Sequence, residues 1–388
     1  MKQDVIIGMD AKRLVRNATG LGNYGRTLVN DLVAGSGDDW QFRLYAPDPG
    51  RDDLRSRITM HNSQCTIHNA ECTRHNAQWV YPETSWAFQR SLWRIGGGII
   101  RDMQRDGVQL YHGLSGELPR GLKKSGIKGV VTIHDLIFLR HPEYYHWLDT
   151  KIYAWKFRYT CREADRIIAI SERTKQDIME FGDVPAEKID VVYQSCDAKF
   201  SRQLSDDVLH GVREKFRLPP RFILNVGTIE QRKNLRLCVE ALAQLPDEIH
   251  LVAVGRQTNY VKQLPQTHRL HLLSGVTDEE LAALYQQAEV FVYPSRYEGF
   301  GIPIIEAIHS GLPVVACSGS CLEEAGGPDS LYVSPDDVTG MARAIRQMLK
   351  GAEGREERIR GSQEYVRRFE GQDVAGQVKR IYQQVLGL

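Results

Sequence analysis

Short apolar runs rich in Val, Ile and Phe recur along the chain, and longer stretches of mixed polarity separate them. Runs of this length and composition read as buried strands, and the intervening stretches carry helical spacing. The predicted strands of the first half are Val5–Met9, Gln41–Tyr45, Gly129–Ile133, Arg166–Ile170 and Asp190–Tyr193. Those of the second half are Phe222–Val226, His250–Val254, Val290–Tyr293 and Pro313–Ala316. Helices are expected between them, for example over Glu279–Gln287, over Thr339–Lys350, and from the Thr19-Gly20-Leu-Gly22 segment to about Leu32. Strand and helix in alternation predict an α/β protein with parallel sheets.

The alternation pauses over residues 198–218, which are polar and end in Leu218-Pro-Pro220. Two prolines stiffen the backbone and disfavour helix, and a new strand begins directly after them. The 388 residues suit two domains. The expected division is 1–205 and 206–388, each a Rossmann-like doubly wound unit. Ligands of such sheets sit at the carboxyl ends of the strands.

Charge and cysteine content narrow the function classes. The net charge is +1, without the basic excess of a nucleic-acid-binding chain. No apolar run reaches the roughly 20 residues of a membrane span, and Asp10 and Lys12 interrupt the first apolar stretch too early for a signal peptide. Seven scattered cysteines form no disulfide framework, so a reduced, cytoplasmic protein is expected. A tandem repeat stands at 61–78: His61-Asn-Ser-Gln-Cys65, His68-Asn-Ala-Glu-Cys72 and His75-Asn-Ala-Gln. On a helix its seven-residue period would hold His and Cys on one side, a metal-site pattern. The plainer reading is a duplicated surface segment.

The chemistry concentrates in Val290-Phe-Val-Tyr293, Pro294-Ser-Arg-Tyr-Glu298 and Gly299-Phe300-Gly301-Ile302-Pro303-Ile-Ile-Glu306, closing at Gly311. This is a strand, a tight loop and a helix. Gly299 and Gly301 permit close backbone approach, Pro303 suits the first helical position, and Gly311 suits the position past the helix end. The free N–H groups of such a terminus favour an anion such as pyrophosphate. Glu306 is expected in the first helical turn and Glu298 on the other side of the same anion site. Two carboxylates flanking a phosphate site suit a ligand with hydroxyls at both ends.

This segment resembles the glutamate–seven-residue–glutamate motif of retaining glycosyltransferases with the GT-B fold, specifically glycosyltransferase family 4. Gly227-Thr-Ile-Glu-Gln-Arg232-Lys233-Asn234, Val276–Tyr285, Ala164–Glu172 and Thr19–Tyr24 resemble further segments of that family. The resemblance spans most of the chain outside roughly 48–108. It implies two Rossmann-like domains, an N-terminal one for the acceptor and a C-terminal one for the donor, with the last helix (about 373–388) packing back on the first. It implies a donor site of Gly22, Arg232, Lys233, Glu298, Gly299, Phe300, Gly301, Ile302 and Glu306, and catalytic roles for Glu298, His134 and Lys233. Where relatives carry Arg directly after the glycine, this chain has Thr228, and Arg232 is the candidate replacement. Asp135, beside His134, is placed to orient the imidazole or to cap the next segment.

The implied reaction moves a hexosyl unit, mannosyl from GDP-mannose as the first expectation, to a saccharide or lipid-linked acceptor with retention. No Asp-x-Asp triplet occurs, so no metal and no other cofactor is expected. The alternatives are another GT-B activity, such as a sugar-nucleotide epimerase or a phosphorylase, and a non-catalytic sugar-binding relative. Trp86-Ala-Phe88-Gln-Arg90-Ser-Leu-Trp93-Arg94, with Arg101 and Arg105 beyond it, mixes aromatic and basic residues. It reads either as a helix packed into the core or as peripheral contact with the inner face of a membrane. Tyr144-Tyr145-His146-Trp147 suits sugar stacking and core packing equally.

Overall fold

The computed structural model describes residues 4–37, 39–59, 62–67, 70–84, 86–194 and 196–388. The chain divides into two compact units. The first comprises residues 1–194 together with the closing segment 373–388, and the second comprises 195–372. The division therefore falls before the expected 205/206. Residues 198–204 already belong to the second unit: the Phe200 ring meets Tyr285 edge-on at 5.6 Å, and the Leu204 N–H donates to Gln286 at 3.1 Å.

In the first unit, β1 (Val5–Asp10) leads through α1 (Lys12–Arg16) and α2 (Gly20–Ala34) to β2 (Trp40–Tyr45). The hairpin β3 (Asn62–Ile67) and β4 (Ala70–His75) follows, then β5 (Ala77–Val80) and α3 (Ala87–Ile95). The unit continues with β6 (Leu110–Gly113), β7 (Lys128–Ile133), α4 (Trp147–Glu163), β8 (Arg166–Ala169) and β9 (Ile189–Val191). Seven strands form one parallel sheet in the order β5-β2-β1-β6-β7-β8-β9. Such a sheet is covered on both faces, so its central strands are largely apolar, while β2 alternates buried Phe42 and Leu44 with half-buried Gln41 and Arg43. Ile7, Met9, Phe42, Leu44, Val130 and Ile168 are fully buried accordingly.

The described residues of the tandem repeat are extended rather than helical. Its β-branched Thr66, Ile67 and Thr73 favour extended backbone, and β3 pairs antiparallel with β4, Cys65 opposite Cys72. His61 and His68 lie outside the described residues, and the metal reading that needs them lies outside with them.

The second unit opens its sheet with β10 (Arg221–Val226), directly after the Pro219-Pro220 pair. It proceeds through α5 (Leu235–Ala241), β11 (Ile249–Val254), β12 (Leu270–Leu273), α6 (Asp278–Gln287), β13 (Val290–Tyr293), α7 (Ile302–His309), β14 (Val314–Cys317), β15 (Leu331–Val333) and α8 (Val338–Met348). Its six strands are parallel in the order β12-β11-β10-β13-β14-β15. Helix α6 starts on a capping box in which Thr277 and Glu280 satisfy each other's backbone N–H groups. The last helix, α9 (Val374–Leu386), returns to the first unit, where it buries Val378, Ile381 and Tyr382. The Tyr382 hydroxyl reaches Nδ1 of the fully buried His112 at 2.6 Å.

Candidate functional site

In the second unit, the loops after β10 and β13 meet at the carboxyl edge of the sheet. Gly227 directly follows β10 with φ at 145°, and a Cβ on the neighbouring Gly255 would stand 1.9 Å from the Gly227 carbonyl oxygen. Both strand ends thus require glycine for backbones to pass this closely. The chain then makes a single 3-10 turn over Gln231–Lys233 and is held in the left-handed conformation at Asn234, whose side-chain amide donates to the Pro335 carbonyl at 2.9 Å. The Arg296 N–H donates to the Arg232 carbonyl at 3.0 Å and stitches this turn to the loop after β13.

That stitching brings Arg232 and Lys233 onto Glu298. Lys233 Nζ pairs with Glu298 Oε1 and also donates to the Tyr293 hydroxyl at 3.0 Å. Arg232 lies 3.1 Å from Glu298 Oε2 and donates to the Tyr297 carbonyl at 2.8 Å. Glu298 is expected on the far side of the anion site, and its two oxygens face the two cations there. Burial would raise the Glu298 pKa, but the Lys233 and Arg232 charges outweigh it and hold it at about 2. Burial also opposes the Lys233 charge, yet Glu298 keeps its pKa above the ordinary lysine value. The trio is therefore fully ionised at neutral pH. It is held by geometry before any ligand arrives, the condition under which fixed charges act most strongly on a developing anion.

Downstream, Gly301 has φ 121° and caps α7, with Leu322 Cδ2 only 3.2 Å from where its Cβ would be. Gly299 shows no such positive φ. The helix begins at Ile302, so Pro303 occupies its second position rather than its first. Proline brings no N–H, and the Ile304 N–H returns to the Gly301 carbonyl at 2.9 Å. Phe300 is buried and meets Phe369 edge-on at 5.3 Å, so its side chain anchors the loop rather than lining a ligand surface. Glu306 is the fifth residue of α7 and lies in the second turn, not the first. It accepts a hydrogen bond from the Tyr285 hydroxyl at 2.9 Å. Burial raises its pKa to about 7, against the lowering effect of that hydrogen bond, so Glu306 exchanges its proton near neutrality.

His134 and Gly22 belong to the first unit. His134 follows β7, and its Nε2 lies 2.9 Å from the Leu114 carbonyl, which can only accept. Nε2 therefore carries the proton, and Nδ1 accepts from the Gln194 amide at 3.3 Å. Burial pushes the imidazole pKa down to about 4, so the ring is neutral at physiological pH. Asp135 caps the next segment by accepting the Ile137 N–H at 3.2 Å. Gly22 lies in the first turn of α2 rather than in a loop, and its N–H donates to the Thr19 carbonyl at 2.9 Å. A Cβ there would stand 1.8 Å from the Asn17 carbonyl oxygen. Tyr24 joins the two positions, with its ring edge-on to His134 at 4.8 Å.

Several contributors escape sequence reasoning. Tyr293, Tyr285 and Gln194 each hold a predicted residue, but a lone Tyr or Gln carries no positional signal. At the carboxyl ends of β11 and β12 an open groove is lined by Gly255, Arg256, Gln257, Ser274 and Gly275. Its glycines and serine read in sequence as an ordinary turn.

The family models match in two segments. Residues 18–200 match Glycosyltransferase Family 4, and residues 212–365 match Glycosyl transferases group 1. The chain is 31% identical over 260 residues to the O-antigen chain mannosyltransferase B of Escherichia coli, covering 64% of this chain and 67% of that protein. It is 27% identical over 243 residues to the serotype-specific mannosyltransferase WbdA of Escherichia coli, covering 57% of this chain but only 29% of that protein. Among solved structures, Anabaena HepE in complex with UDP superposes with a TM-score of 0.72 at 16% identity, over 98% of this chain and 100% of that one. Two Rossmann-like parallel-sheet units, the motif loops in their expected order and these matches agree: the chain is a glycosyltransferase of family 4, with a group 1 glycosyl transferase domain as its second unit.

Proposed function

We propose that the protein transfers a mannosyl unit, with retention, from a nucleotide-diphosphate sugar (GDP-mannose first) to a growing glycan in polysaccharide biosynthesis. The observation that carries the donor reading is the Lys233–Arg232–Glu298 trio beside the Gly301-capped helix α7. A diphosphate is the leaving group that such a site would serve. Lys233 and Arg232 would share their hydrogen bonds between Glu298 and the phosphate oxygens, and the charge that develops as the glycosidic C–O bond breaks would fall on them. Glu298 positions both cations, and the groove beside Gly255 and Ser274 suits a nucleoside base. The leaving phosphate would take the acceptor hydroxyl proton as the new bond forms on the same face. The mannosyl unit and the glycan acceptor are proposed from the two Escherichia coli relatives.

Calorimetry with a panel of nucleotide sugars, followed by anomeric assignment of the product, tests this reading. Failure of every nucleotide sugar to bind would sink it, and an inverted anomer would remove the retaining mechanism. The two cations and the lack of an Asp-x-Asp triplet support turnover without a metal. EDTA is expected to leave the rate unchanged, and a loss that Mn²⁺ restores would refute this.

Glu306 is proposed to accept the ribose hydroxyls. A carboxylate accepts more strongly than a carboxylic acid, by about 1–2 kcal/mol. Donor affinity should therefore rise roughly tenfold between about pH 6 and about pH 8, as the group loses its proton through about 7. Glu306→Gln should flatten that profile and weaken donor binding. A profile that is the same in wild type and Glu306→Gln would remove Glu306 from the ribose site.

A further inference from the structure

In the first unit, a line of polar groups crosses an otherwise apolar sheet face and ends on His134. The Tyr382 hydroxyl of α9 lies 2.6 Å from His112 Nδ1, and His112 Nε2 lies 2.8 Å from the Thr132 hydroxyl. The Tyr24 hydroxyl of α2 approaches the same Thr132 oxygen at 3.4 Å. Thr132 belongs to β7 and His134 directly follows that strand, and side chains two positions apart point to one face. Tyr24 therefore reaches both. Its hydroxyl meets Thr132, and its ring stands edge-on to His134 at 4.8 Å with 83° between the planes. Thr132 and His112 are fully buried. Buried polar groups are costly unless each finds a partner. Here the partners come from α2 and α9, helices at opposite ends of the chain.

His134 is held at three points. Its Nε2 donates to the Leu114 carbonyl at 2.9 Å. The Gln194 amide stands 3.3 Å from Nδ1, and Gln194 is the residue on which the chain leaves the first unit. Tyr24 makes the third contact. The Leu114 carbonyl can only accept, so the lone pair is on Nδ1 and the Gln194 amide presents its N–H side to it. A proton on Nδ1 would meet those N–H groups head-on. Burial lowers the His134 pKa, and the Leu114 bond opposes this. Asp135 accepts from the Ile137 N–H, and Thr174, from the helix over Glu172–Gly182, meets the His134 carbonyl and not the ring. The titratable groups beside the ring are Tyr24 and His112. Burial pushes the Tyr24 hydroxyl up to about 12 and the His112 imidazole down to about 3, so neither is charged at neutral pH.

We propose that Gln194 and Tyr24 are positioning residues for His134: Gln194 fixes the lone pair on Nδ1 by donating to it, and Tyr24, itself held through Thr132, fixes the plane of the ring. A carboxylate in place of the amide would invert the first effect. It accepts a proton from Nδ1 instead of donating one, and its charge favours the imidazolium. The bearing on turnover rests on the glycosyl transfer proposed above, whereas the state of the ring does not.

Nitrogen-15 NMR of the full chain with labelled histidine, without nucleotide sugar, reads the ring directly, and His134→Asn identifies its signals by their loss. The wild-type ring should carry its proton on Nε2. Gln194→Glu should bring protonation of the ring from about 4 up to about 6. The ring-current displacement of the carbon-bound His134 protons should survive in Tyr24→Phe and vanish in Tyr24→Leu. Turnover of saturating GDP-mannose should fall about tenfold in Tyr24→Leu and stay within about twofold of wild type in Tyr24→Phe, as expected for the loss or retention of one aromatic pair. Donor affinity should be unchanged in both. A proton on Nδ1, an unmoved protonation in Gln194→Glu, or equal turnover in wild type and Tyr24→Leu would each overturn the proposal. So would equal losses in Tyr24→Phe and Tyr24→Leu, which put the effect on the hydroxyl. Failure of the wild type to use GDP-mannose would count against the donor reading alone, and the ring signals would still decide the positioning.

Discussion

Lys233→Ala is expected to lower turnover by about 10²–10³-fold, equivalent to about 3–4 kcal/mol in the transition state, with a much smaller change in donor affinity. Lys233 is half-buried, its ammonium held between Glu298 and Tyr293, so its charge is screened less than one in open water. A diphosphate gains negative charge on the departing oxygen as the glycosidic bond breaks, and a fixed cation stabilises that state more than the bound donor. The substitution also leaves Glu298 with Arg232 as its remaining cationic partner in the pair geometry described. A buried carboxylate that loses a partner is costly, and the unfolding midpoint of the second unit should fall. The double variant Lys233→Ala/Glu298→Gln should recover much of that stability and none of the turnover. Because Glu298→Gln also removes the group that positions Arg232, the double variant isolates the stability cost, and the rate of Lys233→Ala at a temperature where it is fully folded reports the assigned role. Single-turnover rates within about twofold of wild type for Lys233→Ala would end the assigned role.

The second large effect is on folding. Gly22→Ala is expected to destabilise the first unit by at least about 3 kcal/mol. The added Cβ would lie 1.8 Å from the Asn17 carbonyl oxygen and 2.7 Å from its carbon, and both are backbone atoms. The junction between α1 and α2 cannot easily give way. The buried Arg26 guanidinium donates to the Asn17 carbonyl at 2.9 Å and to the Leu14 carbonyl at 2.7 Å, so displacing Asn17 would break a buried cation's hydrogen bonds. Gly20→Ala is the matched control. Nothing lies within 4 Å of its Cβ, and alanine at a helical position gains up to about 1 kcal/mol over glycine. Denaturant midpoints of the two variants decide the matter. If Gly22→Ala unfolds like wild type and loses only donor binding, the glycine serves close approach of a phosphate and not the α1–α2 junction.

Much of the architecture is legible along the chain because buried parallel strands announce themselves locally. β1, β7, β10, β11 and β13 are largely apolar runs and β2 alternates Phe42 and Leu44 with Gln41 and Arg43, and each lies within a residue of its expected position. Strands that stay hidden have physical reasons. β6 is Leu-Tyr-His-Gly, and its His112 looks polar until Tyr382 and Thr132 are seen to satisfy both ring nitrogens at 2.6 and 2.8 Å. β12 and β15 are edge strands of four and three residues, half-buried throughout. The tandem repeat at 61–78 suggests a helical period, but its β-branched residues favour the extended pairing that forms.

The sequence by itself determined the alternation of strand and helix, the existence of two units, and the order of the motif loops, since each of these rests on neighbours a few residues apart. Only the tertiary structure decided what the motif residues do. Lys233 and Glu298 stand 65 positions apart in the chain, and their pairing exists because β10 and β13 are adjacent in the sheet. Glu306 looks like a helix-terminus charge until burial beside Tyr285 brings its proton exchange to about pH 7. Whether Phe88 faces core or solvent was likewise undetermined until α3 was placed. Burial and charge pairing are properties of surroundings assembled from distant segments, so no local pattern can specify them.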